Sequence, residues 1–494
     1  MNRISGSQRW VRGAAVGALA VLAACSSGGS GGASDGGRTT SSSPAGTTAT
    51  TVAGTTAVPP VTRPAGSVAD LSQQLTGGKG VFMGAADATA EHPPGYVQSE
   101  YVAAGTASAY RARLPLTADG RWSFSPSTKA AYRTRIVVRR PKDPKQFDGT
   151  VVVEWLNVSG GVDADAEWSS IHEEVVRSGG IWVGVSAQKI GVMGGPVLVA
   201  APGGKGIAGV GLKKLDPARY GTLDHPGDGY SFDIYTQVAR ALRLGGAPLG
   251  GMKPARILAV GESQSAFALT TYADGVQPLT HAFDGFLIHS RGASGLPLVS
   301  GDTNADISSA IGGTATIFRT DLDVPVMDVQ SESDLLAPLG SLQARQPDSS
   351  RFRLWEVAGT SHADLHTLGP ANAKAADCGV PINDGPLHLV VKAGLHDLDA
   401  WVRTGKAPPK APRIAVTSGA NPTIRRTSDG LAIDGIRTPP VDVPVAALTG
   451  VAGPNPSTLC LLLGSTKPFS NARLAALYPS RAAYEQAYDA DAAR

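Results

Sequence analysis

The sequence predicts an α/β protein with a mostly parallel central sheet and helices on both faces. Apolar, β-branched runs of strand length alternate with segments of helical spacing, a pattern typical of crossover connections between parallel strands. The run at 150–156, TVVVEWL, is almost continuously apolar, as expected of a strand that is covered on both faces. No repeat with a period of about 20–50 residues is visible, which disfavours solenoids and propellers.

The elements follow in order along a folded part that begins near Val68. Runs at 133–139 and 150–156 flank a turn rich in Pro and Gly and predict a hairpin. Amphipathic spacing and β-branched runs predict the remaining elements: helices over 163–177, 230–244 and 387–403, strands over 180–186, 256–260, 283–290, 324–329 and 352–358, and a strand-rich segment over 414–445.

Composition restricts the class of protein. The 494 residues include 44 Lys and Arg against 41 Asp and Glu, and 42% of the chain is hydrophobic. A net charge of +3 on a chain of this length indicates a globular protein with a large core and gives no reason to expect a nucleic-acid partner.

The first 25 residues have the pattern of an export signal. Arg3, Arg9 and Arg12 precede an apolar stretch over 13–24 that is too short to span a bilayer. The stretch ends Leu-Ala-Ala-Cys25, which is similar to the bacterial lipobox. We therefore expect a signal peptide over 1–24 and lipidation of Cys25, with two acyl chains holding the protein on the extracytoplasmic face of the cell membrane. A plain secretory signal is the alternative.

A linker follows the predicted lipidation site. Residues 25–66 are almost entirely Gly, Ser, Thr, Ala, Pro and Val, and this composition cannot bury enough apolar surface to fold. The folded domain is therefore predicted over 67–494.

A candidate nucleophile lies where the run at 256–260 ends. Gly261-Glu262-Ser263-Gln264-Ser265 follows it directly, and a helix-capable segment comes next. A strand, a sharp turn with Ser at its apex and a helix form a nucleophile elbow. A second match to the same pattern at 359–363 lacks the helical run. Ser263 is therefore the predicted nucleophile.

Two partners follow Ser263 in the chain order acid, then His. Asp334 is the favoured acid. In enzymes with a nucleophile elbow, the acid commonly lies about three residues past the small residue that closes its strand, and that residue is here Ser331. Glu332 is the alternative acid. His362 follows the last predicted sheet strand and a Gly turn, and it is the predicted general base.

Four segments taken together resemble the α/β-hydrolase superfamily: VVVEWLNVSGG at 151–161, GESQSA at 261–266, VQSESD at 329–334 and AGTSHAD at 358–364. LKKLDPARYG at 212–221 and HPGDGYSFDI at 225–234 are typical of a bacterial family of alpha/beta hydrolase domain proteins. The resemblance implies an α/β-hydrolase fold and hydrolysis of an ester or a similar acyl bond in a small-molecule substrate. It implies a Ser263–His362–Asp334 triad and no cofactor.

The resemblance also implies an oxyanion hole. The backbone N–H of Gln264 would supply one hydrogen bond, and an amide of Asn157, Val158 or Ser159 the second. The sequence lacks the HGGG pattern of lipases at this loop, so the donor among these three residues is left open.

The rest of the chain elaborates the domain. Insertions over 190–212 and 292–323 are expected to border the mouth of the pocket, and 370–494 to form a C-terminal elaboration. Cys378 and Cys460 are the two thiols left after lipidation, and in an exported protein they suggest a disulfide.

Two other functions fit the residues less well. His362, Asp364 and His366 have a spacing that could bind zinc, which would make the protein a metallohydrolase. A catalytically silent binding lipoprotein could also retain the fold. The favoured interpretation is a serine esterase without a metal, and the sequence does not predict an oligomeric state.

Overall fold

A computed structural model describes residues 63, 65–84, 93–455 and 457–494. The predicted signal peptide over 1–24, Cys25 and nearly all of the predicted linker over 25–66 lie outside these residues. Within the described part of the chain, no helix is both long enough and apolar enough to cross a membrane.

The strands form one large sheet and one small sheet. Their bounds are β1 Gln74–Leu75, β2 Tyr96–Ala112, β3 Phe124–Pro141, β4 Thr150–Trp155, β5 Ile181–Val185, β6 Arg256–Glu262, β7 Gly285–His289, β8 Val326–Ser331, β9 Phe352–Val357, β10 Ala446–Thr449 and β11 Ser465–Pro468. The large sheet has the order β1-β2-β3-β5-β4-β6-β7-β8-β9, and β10 pairs with β11.

The large sheet is parallel from β5 across to β9, as predicted. The predicted hairpin between 133–139 and 150–156 is wrong. The long strand β3 instead pairs antiparallel with β2 and β5, and β5 separates it from β4. Both segments are strands, but the turn between them leads to a strand that pairs elsewhere because a later strand takes the position between them.

The helices surround this sheet. Their bounds are α1 Ala166–Ser178, α2 Lys189–Met193, α3 Leu212–Leu215, α4 Pro217–Tyr220, α5 Ser231–Arg243, α6 Gln264–Thr271, α7 Gln277–Thr280, α8 Ile307–Ile311, α9 Leu365–Ala375, α10 Leu387–Thr404, α11 Pro439–Asp442, α12 Asn471–Leu477 and α13 Arg481–Ala492. A π-helical turn over Tyr272–Val276 joins α6 to α7. Among the predicted helices, 163–177, 230–244 and 387–403 correspond to α1, α5 and α10.

Apolar cores cover both faces of the sheet. Alternate residues of β4 point to opposite faces, so that Val151 and Val153 pack in one core and Val152 in the other. The first core includes residues of α5 and α6. The second includes Trp168, Ile171 and Val175 of α1 together with residues of α10. This arrangement explains the continuous apolar run of β4, all of whose residues are buried.

The C-terminal part differs from its prediction in one respect. Segment 414–445 contains isolated bridges, such as Ile414 with Asp434, and the short helix α11 where strands were expected. The predicted disulfide between Cys378 and Cys460 is present, with a Cα–Cα distance of 5.5 Å. Both half-cystines are buried in a small apolar cluster with Leu368 and Leu463.

Candidate active site

Ser263 lies at the apex of a sharp turn between β6 and α6. Its φ of 60° and ψ of −122° place a non-glycine residue in a sparsely populated backbone region, whose strain is characteristic of functional sites. The Ser263 N–H donates to the carbonyl of His289 at the end of β7, at 2.9 Å, and thereby anchors the turn to the neighbouring strand.

The flanks of this turn are tightly packed. A Cβ atom added to Gly261 would lie 2.8 Å from the Cβ of Ser265, so the elbow requires glycine on the strand side. Ser265 occupies the position where many elbows have glycine, and it is 1% exposed. The small side chain of Ser265 is accommodated because Gly261 leaves it room.

His362 meets Ser263 after a gap of 99 positions in the chain. The Nε2 of His362 lies 2.7 Å from the Ser263 Oγ. The Nδ1 of the same ring lies 2.7 Å from the Oδ1 of Asp334. If Nδ1–H donates to Asp334, the unprotonated Nε2 accepts the hydroxyl proton of Ser263. The three predicted residues are therefore linked by two consecutive hydrogen bonds.

Asp334 is held as an ionised acceptor. Its Oδ2 accepts from Ser290 Oγ at 2.7 Å and from the Ser331 N–H at 2.6 Å, and the residue is fully buried. Burial raises the pKa of Asp334, but His362 and the hydrogen bonds from Ser290 and Ser331 outweigh burial and lower it below the ordinary value.

Glu332, the alternative acid, has different partners. Its Oε2 accepts from the Gly359 N–H at 3.0 Å, and its Oε1 accepts from the Gly450 N–H at 2.9 Å and from Arg426. Glu332 therefore ties the turn after β8 to the turn after β9, whereas Asp334 is the carboxylate that contacts His362.

A second carboxylate faces the imidazole from the pocket side. Glu262 is 7% exposed, and its Oε1 lies 3.7 Å from the Nε2 of His362. Burial raises the pKa of Glu262. Burial alone would lower the pKa of His362, but Asp334, and then Glu262, raise it above the ordinary value.

A buried pair lies beneath this site. The Nδ1 of His289 lies 3.0 Å from the Oε2 of Glu167. Burial alone would lower the pKa of His289, but Glu167, Glu262 and Asp334 raise it to about 9. His289 therefore carries a positive charge near neutral pH, which balances part of the negative charge of the surrounding carboxylates.

The amides predicted to form an oxyanion hole lie on α6 and on the loop after β4. Gln264 is the first residue of α6, where a backbone N–H has no acceptor within its own helix. The amides of the expected second donors are engaged: Asn157 N–H donates to Ala164 O, Val158 N–H to Gln264 Oε1 and Ser159 N–H to Asn157 Oδ1. Each of these three amides therefore has an acceptor in this arrangement, and the choice of the second oxyanion donor among them stays a prediction.

The side chain of Gln264 connects this loop to the sheet. Its Oε1 accepts from the Val158 N–H at 3.2 Å, and its Nε2 donates to Gln188. Gln188 also accepts from Trp155 Nε1 at 3.0 Å. The residue after the nucleophile thus positions the loop that faces the nucleophile.

The family model for the alpha/beta hydrolase domain matches residues 61–494. The chain belongs to the alpha/beta hydrolase domain family. The predicted fold class is thereby confirmed, together with the family resemblance. No curated protein matches the sequence.

Solved structures of several hydrolases are similar to this chain at low sequence identity. They include esterases from Rhizomucor miehei (10% identity, 61% of this chain and 86% of that chain, TM-score 0.32). A dienelactone hydrolase-like promiscuous phosphotriesterase from metagenomic libraries has 12% identity over 61% of this chain and 98% of its own, with a TM-score of 0.30. The rice cell wall degrading esterase LipA from Xanthomonas oryzae has 14% identity over 46% of this chain and 51% of its own, with a TM-score of 0.22.

The spacing that suggested a zinc site has another explanation in this alpha/beta hydrolase. Asp364 caps α9 by accepting from the Thr367 N–H at 2.8 Å, and the Nε2 of His366 lies 3.0 Å from the carbonyl of Ser169. Both ring nitrogens of His362 already have partners. Among the described residues, no group of three or more His, Cys, Asp or Glu side chains is arranged to hold a metal ion.

Three residues of this hydrolase site were missed by sequence reasoning. They are Glu262, the last residue of β6, Ser290, which directly follows β7, and Gln188, which lies three residues after the end of β5. That common position was the available signal, because the carboxyl ends of parallel strands meet at one edge of the sheet. The missed residues are polar side chains at the same edge as the predicted ones.

Proposed function

We propose that this protein is a serine esterase that works through an acyl-enzyme. The observation that carries the proposal is the pair of 2.7 Å contacts that join Ser263 to His362 and His362 to Asp334. Family membership supports the same reaction class. The proposed substrate is a small-molecule ester, and no cofactor takes part.

In the first half of the reaction, the Ser263 Oγ attacks the carbonyl carbon while its proton moves to the Nε2 of His362. Asp334 stabilises the imidazolium that forms and keeps the ring oriented. The negatively charged oxygen of the tetrahedral intermediate accepts from the backbone N–H of Gln264, and one such donor contributes about 3–4 kcal/mol to transition-state stabilisation. The C–O bond to the alcohol then breaks, and the Nε2 proton passes to the departing alcohol.

In the second half, water attacks the acyl group on Ser263. His362 removes a proton from the water and returns it to the Ser263 Oγ as the acid is released. The strained backbone of Ser263 favours this chemistry because it exposes the hydroxyl at the tip of the turn instead of within α6.

We also propose that the enzyme is exported and held on the outer face of the cell membrane by lipid on Cys25. The Arg-containing start, the apolar stretch and the Leu-Ala-Ala-Cys25 sequence support this location. Two acyl chains give stable anchoring where a single chain gives marginal binding.

The test of function is Ser263→Ala. We expect hydrolysis of p-nitrophenyl esters to fall by about 10⁴- to 10⁶-fold, with an unchanged circular dichroism spectrum. A fluorophosphonate should add to the parent protein at Ser263, as mapped by peptide mass, and not to the variant. The matched control is Ser178→Ala, an exposed serine at the end of α1, which should retain full turnover.

The outcomes separate the candidate functions. A parent protein with no ester turnover and no phosphonate adduct would support the binding lipoprotein instead of the enzyme. Turnover that survives Ser263→Ala but disappears with a chelator would support the metallohydrolase.

A further inference from the structure

Two cavities of unequal size meet at the Ser263 hydroxyl. The larger has a volume of about 300 Å³ and the smaller about 110 Å³. Both are lined by Ser263 and His362, and Ser159, Val199 and Leu462 are also common to the two linings. A carbonyl carbon placed at the Ser263 Oγ therefore lies at the junction, with a separate space for each side of the ester bond.

The smaller cavity is apolar. Its wall includes Leu198, Phe267, Ile307, Ile311, Leu339 and Leu461, and among the described residues of its lining His362 is the only one with a titratable side chain. Because a water molecule takes about 30 Å³ of liquid volume, the space holds roughly three or four carbon-sized groups. A longer chain would have to displace packed side chains or extend past the exposed Leu461 at the rim, out of the cavity.

The larger cavity is wider and mixed in character. Apolar side chains such as Met83, Ile207 and Leu368 line it together with the polar Asn372 and the carboxyl groups of Glu262 and Asp165. An anionic substituent here would face these carboxyl groups without a Lys or Arg among the described lining residues, which is unfavourable. The larger cavity therefore suits a bulky, uncharged group.

A disulfide bond restrains two segments that line the cavities. Leu461 and Leu462 lie directly after Cys460, and Leu368 lies on α9 shortly before Cys378. The disulfide between Cys378 and Cys460 thus joins the two C-terminal segments that line the cavities. This bond limits how far the segments can separate to admit a second bulky group.

Building on the proposed esterase function, we propose that the substrate is a neutral, asymmetric ester in which one side is a short apolar group and the other side is bulky. The smaller cavity takes the short side, and the larger cavity takes the bulky one. An ester with two bulky sides leaves one of them partly outside the smaller cavity, and an ester with two short sides leaves the larger cavity unfilled.

The test uses four esters: ethyl acetate, ethyl octanoate, 1-naphthyl acetate and 1-naphthyl octanoate. The mixed esters are ethyl octanoate and 1-naphthyl acetate, and efficiencies are compared only between esters of the same alcohol, because 1-naphtholate is a much better leaving group than ethoxide. If the short side is the acyl part, 1-naphthyl acetate should have a catalytic efficiency at least about tenfold above that of 1-naphthyl octanoate, and if it is the alcohol part, ethyl octanoate should exceed ethyl acetate by the same factor. If neither ratio reaches about tenfold, the proposal is wrong.

Two exposed leucines provide a variant and its control. Leu461, at the rim of the smaller cavity, is 44% exposed, and Leu389, on α10 and absent from both linings, is 53% exposed. Leu461→Ala should raise the catalytic efficiency towards 1-naphthyl octanoate about fivefold relative to the mixed ester that shows the tenfold advantage, and Leu389→Ala should leave that ratio unchanged. An unchanged ratio in Leu461→Ala contradicts the assignment of the smaller cavity.

Failure of this inference is distinct from failure of the esterase proposal. A fluorophosphonate adduct on Ser263 with ester turnover of the wrong ranking overturns only the asymmetric substrate. Absence of both the adduct and turnover of all four esters overturns the enzyme and the substrate together.

Discussion

Replacing Asp334 with Asn tests the hydrogen-bond chain at its buried end. The Oδ2 of Asp334 accepts from Ser290 and Ser331, and its Oδ1 contacts the Nδ1 of His362. In Asp334→Asn, the amide oxygen can keep the two Oδ2 bonds, so the NH₂ group takes the position next to Nδ1. An NH₂ group donates, and Nδ1 must then become an acceptor with the ring proton on Nε2.

The size of the effect follows from that tautomer. A protonated Nε2 cannot take the proton of Ser263, and the imidazolium loses its carboxylate partner. We expect kcat to fall by about 10⁴-fold, which corresponds to about 5.4 kcal/mol of transition-state stabilisation. Asn has the shape of Asp and keeps two of the three hydrogen bonds, so the expected cost in the free energy of unfolding is only about 1–3 kcal/mol.

The assay is steady-state hydrolysis of a p-nitrophenyl ester, with circular dichroism to verify folding. Glu332→Gln is the matched control, because it removes a carboxylate two residues away that contacts Arg426 and backbone amides instead of His362. The control should keep kcat within about tenfold of the parent. If kcat falls about 10⁴-fold in Glu332→Gln but stays within about tenfold of the parent in Asp334→Asn, Asp334 is not the acid that orients His362.

Two further predictions concern the pH profile and the location. Activity requires a neutral His362, so it rises with pH through the raised pKa of His362. Since Glu262 helps to raise that pKa, Glu262→Gln should move the acidic limb of the kcat/KM profile to lower pH, and a shift to higher pH would contradict the assigned charge effect. Cys25→Ser should abolish incorporation of radiolabelled palmitate in a lipoprotein-processing bacterium and release the protein from washed membranes; retention of the label would exclude Cys25 as the acylated residue.

The fold was predictable where sequence pattern and strand burial agree. The parallel strands from β4 to β9 are short and apolar, helices separate all of them except β8 and β9, and their order of appearance was correctly inferred. The pairing of β3 was not, because a Pro and Gly turn reports only that the chain reverses. Which strand then lies alongside β3 depends on β5, about forty residues further on, and on tertiary packing.

Some parts of the candidate site could also be predicted from the sequence, and others depend on tertiary packing. Positions after strand ends predicted Ser263, His362 and Asp334, and the structure places them within hydrogen-bonding distance of one another. The second oxyanion donor stays a prediction, because the availability of an amide depends on the acceptors around it. Gln264 was predicted to act through its backbone N–H. Its side-chain Oε1 also accepts a hydrogen bond from the Val158 N–H, and no pattern in the sequence predicts that contact.

Three carboxyl groups near the imidazole illustrate why residue type alone does not assign a role. Asp334, Glu332 and Glu262 are all buried and all follow or close a parallel strand. Asp334 contacts the Nδ1 side of His362, Glu262 faces the Nε2 side, and Glu332 turns away to Arg426. In the proposed acylation step, the imidazolium is therefore stabilised from both nitrogens, whereas Glu332 holds together the turns that carry the proposed acid and base. The electrostatic contribution of each carboxyl group is thus set by which atom it faces, and that is fixed only when the two turns pack together.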